Sequence, residues 1–205
     1  IVLDFSSLWF SGTRGALLGL IAGMLFFGIV YLVWGKRHVL RVAISYLLGT
    51  LLALVILFAL VRSTSAFDSV ASSNYMLARI SGTGLDAFRG RLTSISAGLQ
   101  GFADRPVLGW GPENYIVAWG RYFDSASGVG DRFDQAHNKL VEELTTKGLL
   151  GLLTYLLLWA LMMQVILSKV RTMEPHQQLF SLFMGAALVG YFAQNMFLFD
   201  TPATI

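Results

Sequence analysis

Four stretches of this chain contain no Asp, Glu, Lys or Arg: residues 15–35, 42–61, 148–168 and 177–199, runs of 21, 20, 21 and 23 residues. All 15 basic and 12 acidic side chains fall outside them. A charge held in hydrocarbon is costly, and a bilayer core about 30 Å thick needs about 20 helical residues to cross it. The runs therefore predict an all-α fold, a polytopic transmembrane helix bundle with spans near 15–34, 42–61, 148–167 and 179–199. Residues 62–147 are left as one long polar insert, too long for a bare connector, with helices of its own. Charged residues make up 13% of the chain, against about 25% in soluble domains, which excludes an ordinary water-soluble globule. The net charge of +3 is small and scattered, so no nucleic-acid partner is expected. In the first span Gly15, Gly19 and Gly23 recur at helical spacing, a pattern that lets neighbouring helices approach closely.

Orientation follows from the short connectors. Residues 35–41 hold Lys36, Arg37 and Arg41 without an acid, and 168–178 hold Lys169 and Arg171 against Glu174 alone. Cytoplasmic loops carry an excess of Lys and Arg, so both connectors are expected in the cytoplasm. Arg14 and the insert then face the opposite side.

The insert divides by pattern. Residues 62–84 are rich in Ser, Thr and Gly, and 124–131 read as a flexible loop. Over 85–103, Phe88, Leu92, Ile95, Leu99 and Phe102 share one helical face, which predicts a helix packed by that face. Arg105-Pro106 ends it, since the residue before proline disfavours the helical region. Gly109-Trp-Gly-Pro reads as a turn, and a second helix is expected to start at Asp134 as N-cap.

Composition narrows the chemistry. The chain has no cysteine, so disulfides, thiolate nucleophiles and thiolate metal sites are excluded. Of the three histidines, His38 and His176 lie at the cytoplasmic connectors, which leaves His137 alone in the insert and no metal site expected. In a helix from Asp134, His137 shares a face with Leu140, Val141 and Leu144, while Lys139, Glu142 and Glu143 point elsewhere. Such a histidine is ordinarily structural; the functional alternative is a general base, since imidazole exchanges protons near neutral pH. The insert also holds seven Arg against two Lys. Arginine's planar fork matches phosphate oxygens, although arginines at span ends also snorkel to headgroups. Arg91 stands at the edge of the apolar face. Trp110, Tyr115, Trp119 and Tyr122 are aromatics able to stack on sugars, though aromatics are common at membrane surfaces. Gln164, Gln194 and Asn195 are polar groups within spans, read as interhelical hydrogen-bonding groups.

Three strings carry a resemblance. His137-Asn138, nine residues, then Gly148-Leu-Leu-Gly151 resembles the signature of the O-antigen ligase and polymerase superfamily. Ser11-Gly-Thr-Arg14-Gly-Ala16 resembles that family's arginine motif at the mouth of a span. Arg91 followed by Arg105-Pro-Val-Leu-Gly-Trp-Gly111 resembles the opening of its large external loop. Where the family tends to have a tryptophan after the loop arginine, this chain has Ser94 and Ile95, so Arg89 rivals Arg91 for that position. The resemblance implies a glycosyltransferase of the bacterial inner membrane with its active site facing the periplasm. Its donor would be a glycan on undecaprenyl pyrophosphate, and its acceptor another lipid-linked glycan, the lipid A–core of lipopolysaccharide, or a protein. By this likeness Arg14 and Arg91 bind the donor pyrophosphate and His137 activates the acceptor hydroxyl. Asn138, Gly148 and Gly151 complete the motif, and the reaction inverts the anomeric carbon without a metal or other cofactor. The family has more spans than four, and the chain opens on Ile1, so it reads as the C-terminal part of such a protein. A non-enzymatic transporter or scaffold, with the insert as an interaction module, is the competing reading.

Overall fold

The computed structural model describes residues 14–61, 64, 67, 85–123 and 133–197. They form helices only: α1 (Arg14–Trp34), α2 (His38–Val61), α3 (Leu85–Asp104), α4 (Tyr115–Tyr122), α5 (Lys139–Ser168) and α6 (Pro175–Asn195). Ser11, Gly12 and Thr13, the Ser/Thr/Gly-rich stretch apart from Thr64 and Phe67, and the loop at 124–131 lie outside the described residues. Three helices, α1 from Gly15, α2 and α5, are long and apolar enough to cross a membrane. The fourth expected span forms as α6, four residues earlier than expected. Gln177, Gln178, Gln194 and Asn195 dilute its apolar character, and it is not among the helices that meet that measure.

The chain divides into two compact units. The first holds Ile1–Thr83 and Gln164–Phe192, the second Gly84–Met163 and Ala193–Ile205. In the first unit, Tyr31, Ile44, Val170 and Leu182 form a buried apolar cluster, with Phe27 packed against it. Phe27 stacks on Tyr31 and on Phe183 at 5.8 and 4.6 Å. The small residues of α1 face α6: a Cβ on Gly23 would stand 2.6 Å from the Ala186 carbonyl oxygen, and one on Gly190 2.9 Å from that of Gly19. The two basic connectors meet. Gln178, fully buried, donates from Nε2 to the carbonyls of Trp34 and Val170, both at 2.9 Å. Lys36 Nζ donates to the Met173 carbonyl at 2.5 Å, and Arg171 lies over the Trp34 ring at 4.7 Å. Both basic connectors thus stand at one end of this unit, as two loops on the same side of a membrane must.

In the second unit α3 packs by a different face from the one its apolar periodicity suggests. Gly90, Ser94, Ala97, Gly98 and Gly101 are buried, whereas Leu92 and Leu99 are exposed. The small face wins because α3 lies too close to its neighbours for anything larger. A Cβ on Gly98 would meet Val141 Cγ1 at 2.7 Å, and one on Gly101 would meet the Ala118 Cβ at 2.6 Å.

Candidate active site

α5 is broken at Gly148, whose backbone (φ 67°, ψ −165°) is not helical. A break inside a helix orphans carbonyls on one side and N–H groups on the other. Here the loop after α3 satisfies both. Trp110 N–H and Gly111 N–H donate to the carbonyls of Thr145 and Thr146 at 3.0 and 2.7 Å. Leu149 N–H and Leu150 N–H donate to those of Pro106 and Val107 at 2.8 and 3.4 Å. The loop is therefore not a simple turn but a backbone bridge across the helix break. Both partners need glycine. A Cβ on Gly109 (φ 66°) would collide with the Thr146–Lys147 peptide, and one on Gly148 with the Val107 carbonyl. Gly151 serves differently, since its bare Cα leaves room for the Lys147 side chain, which the break brings alongside. The segment 139–147 carries Lys139, Glu142, Glu143 and Lys147; the uncharged run begins only at Gly148. The break thus divides the polar part of α5 from its membrane-crossing part.

The start of α5 corrects the expected position of His137. The N-cap is Asn138, not Asp134. Its Oδ1 accepts from the N–H groups of Leu140 and Val141 at 3.0 and 3.2 Å, satisfying two orphan donors of the first turn. Its Nδ2 donates to the Met196 carbonyl at 3.3 Å. His137 accordingly lies outside the helix and shares no helical face with Leu140, Val141 and Leu144. Its backbone is left-handed (φ 52°), a conformation uncommon outside glycine, which histidine adopts more readily than most residues but still at a cost. Support comes from both sides. Asn138 anchors the chain after His137, and Glu142 Oε2 accepts the Ala136 N–H before it at 2.6 Å. Ala136 is itself buried against Tyr115 and Trp119. Tyr115 hydroxyl bonds Ser94 Oγ at 2.7 Å and donates to the Ser94 carbonyl, and Ser94 Oγ donates to the Gln135 carbonyl at 3.4 Å.

The imidazole is half-buried, edge-on to Phe133 with ring centroids 5.1 Å apart. Burial first, then the positive charge of Arg91, push its pKa below the ordinary histidine value; Asp134 opposes them. Both effects favour the neutral ring, the state in which it accepts a proton. The structure brings Arg91, half-buried, within electrostatic reach of His137; Arg89 is exposed. Arg14 opens α1 in the first unit.

Glu142 is a feature that sequence reasoning passed over. Burial, reinforced by the carboxylates of Glu113 and Glu143, raises its pKa to about 7, against the pull of the Ala136 N–H and Lys139. The signal for it was an acid in the first turn after an asparagine cap, a position from which a carboxylate reaches back to exposed N–H groups. Its neighbour Glu143 is buried too, but bridges Lys139 and Lys147 at 3.1 and 2.7 Å.

The aromatic residues divide. Tyr115 and Trp119 are core, with Trp119 against Phe123 and Phe133 at 4.7 and 4.9 Å, and offer no face to a sugar. Trp110 is partly exposed. Its indole N–H donates to the Gly101 carbonyl at 2.7 Å, and the Arg105 guanidinium covers its ring at 4.2 Å. Among the described residues no three His, Asp or Glu side chains gather as a metal set.

The described residues are those of an all-α membrane protein with three helices able to cross a membrane. The family model for O-antigen ligase matches residues 1–156, so the chain belongs to the O-antigen ligase family and is a membrane glycosyltransferase of that type, acting on glycan and lipid-linked substrates. No curated protein and no solved structure matches it.

Proposed function

We propose that this protein transfers or polymerises a glycan from an undecaprenyl-pyrophosphate donor, at the periplasmic surface of the bacterial inner membrane, onto a lipid-linked, lipid A–core or protein acceptor. The observation that carries this reading is His137, half-buried and within electrostatic reach of Arg91, in the region the family model covers. In this reading the imidazole takes the proton of the acceptor hydroxyl as its oxygen attacks the anomeric carbon. The bond from that carbon to the pyrophosphate oxygen breaks on the opposite side, which inverts the centre. Undecaprenyl pyrophosphate departs with its new negative charge met by Arg91 and Arg14. Arginine contacts that strengthen as this charge grows favour the transition state over the bound substrate. A positioned base adds about 10²–10⁴-fold. No step in this scheme uses a metal.

The test is transfer from a labelled undecaprenyl-pyrophosphate glycan in membranes containing the protein. His137→Ala should lower turnover by about 10²–10⁴-fold with donor binding nearly intact. Arg91→Lys keeps the charge but loses the bidentate fork, so donor binding and turnover should weaken together, while Arg89→Lys stays near wild type. Wild-type turnover in His137→Ala would return the histidine to a structural role and remove the mechanism. A crippled Arg89→Lys beside a silent Arg91→Lys would move the phosphate contact to Arg89.

A further inference from the structure

α3 presents three longitudinal faces rather than two. At about 100° per residue, Gly90, Ser94, Ala97, Gly98 and Gly101 make the buried face described above. One exposed flank is polar: Arg89, Ser96, Gln100 and Asp104, with Gln100 Nε2 donating to Ser96 Oγ at 3.3 Å. The other flank is apolar, with Leu92 and Leu99 exposed at 49% and 45%. The loop after α3 adds two more exposed apolar side chains. Val107 and Leu108 stand 59% and 71% exposed at its tip. That tip is bonded through backbone to Leu149 and Leu150, the first turn of the membrane-crossing part of α5.

We infer that the apolar flank of α3 and the tip at Val107–Leu108 rest on the lipid bilayer, with the polar flank of α3 turned to water. Two observations choose lipid as the occupant. The tip is fixed by hydrogen bonds to the point where the chain passes from a charged segment into an uncharged run, so it shares the depth of that crossing. Leu149 and Leu150 are themselves 48% and 52% exposed, so exposed apolar side chains stand on both sides of the backbone bonds that join the tip to the span. A helix with one apolar and one polar exposed flank lies in the plane of the membrane surface, its apolar side sunk about 5–10 Å into the headgroup boundary. The inference stands on this geometry and is independent of the proposed reaction.

The chain has no cysteine, so single introduced thiols can be spin-labelled without background. The protein would be reconstituted in vesicles of phosphatidylethanolamine and phosphatidylglycerol. Collision with oxygen, which concentrates in lipid, is then compared with collision with a water-soluble nickel chelate. Labels on Leu92→Cys, Leu99→Cys and Leu108→Cys should favour oxygen, as a label on Leu153→Cys in the span does. Labels on Gln100→Cys and Gly120→Cys should favour nickel. Nickel accessibility at 92, 99 and 108 equal to that at 100 would place the flank in water and overturn the inference. Protection of those sites from both probes would also overturn it, by showing a protein surface there instead of lipid. Leu92 and Leu99 read the same flank independently, so loss of one variant to misfolding leaves the outcome decidable.

Discussion

Two pairs of glycines bring backbones together in this molecule, and they work differently. In the first unit, Gly23 and Gly190 lie within helices α1 and α6, which run without a break at either position. Glycine there supplies only room. In the second unit, Gly109 and Gly148 sit at φ values of 66° and 67°, where the helix is interrupted and hydrogen bonds cross between segments. Glycine there supplies room and a left-handed backbone at once. The first arrangement tolerates adjustment, because two helices can slide or part slightly. The second does not, because its two segments are tied to each other by four hydrogen bonds and its glycines also carry a left-handed backbone.

The largest effect should follow from breaking the second arrangement. Gly148→Ala or Gly109→Ala should destabilise the protein by on the order of 3–5 kcal/mol, from the left-handed backbone plus a backbone collision. The measurement is thermal unfolding in detergent, with loss of folded protein the extreme form of the same result. Gly23→Ala should cost less, about 1–3 kcal/mol, as an overpacked contact that partly relaxes. If Gly23→Ala proved the more damaging, the distinction between room and backbone conformation would fail. A slope rather than a drop is expected at Glu142. Its folded pKa of about 7 lies above the ordinary 4.5, so the folded state holds this proton more tightly than the unfolded state does. Its contribution to stability is full below about 4.5 and is lost as pH rises through about 7. Glu142→Gln should flatten that part of the melting-temperature profile against pH; an unchanged slope would show that another group titrates. The smallest effect sharpens the comparison from the other side. Gly120 is helical, with open space where a Cβ would stand, so Gly120→Ala should gain about 0.5–1 kcal/mol, seen as a small rise in melting temperature.

The same contrast explains what could be read from the sequence. α1 and α2 were legible because absence of charge over about 20 residues has one common meaning, and the spacing of Gly19 and Gly23 told of close approach. The break in α5 was not, since Gly148 begins an uncharged run that looks continuous; only its hydrogen-bond partners, some 40 residues away in sequence, reveal it. The periodicity of Leu92, Ile95, Leu99 and Phe102 was real, but it does not distinguish a face turned to the core from one turned elsewhere. In α3 the small residues took the core. The strings around Gly109 and Gly148 lie in two segments that the structure joins by hydrogen bonds. The local structure of His137 was missed because Asn138 outcompeted Asp134 as the cap: its carboxamide satisfies the donors of Leu140 and Val141. Glu142 was set aside as pointing away from His137, because Ala136, whose N–H it accepts, was read as part of the helix.

The bridge over the break in α5 also orders events in time. Pro106 and Val107 offer carbonyls whose partners, Leu149 and Leu150, are made last among the residues involved. During synthesis from the N-terminus, α3 and its loop therefore wait with open backbone groups until the chain has passed residue 150 and begun its next crossing. Pairing over that separation carries a loop-closure entropy that local helix formation does not. The left-handed turn at His137 lies in sequence between the two sides of the bridge. Closure of the bridge is in this way coupled to the start of the next crossing, and a chain arrested before Leu149 would lack its second pair of hydrogen bonds.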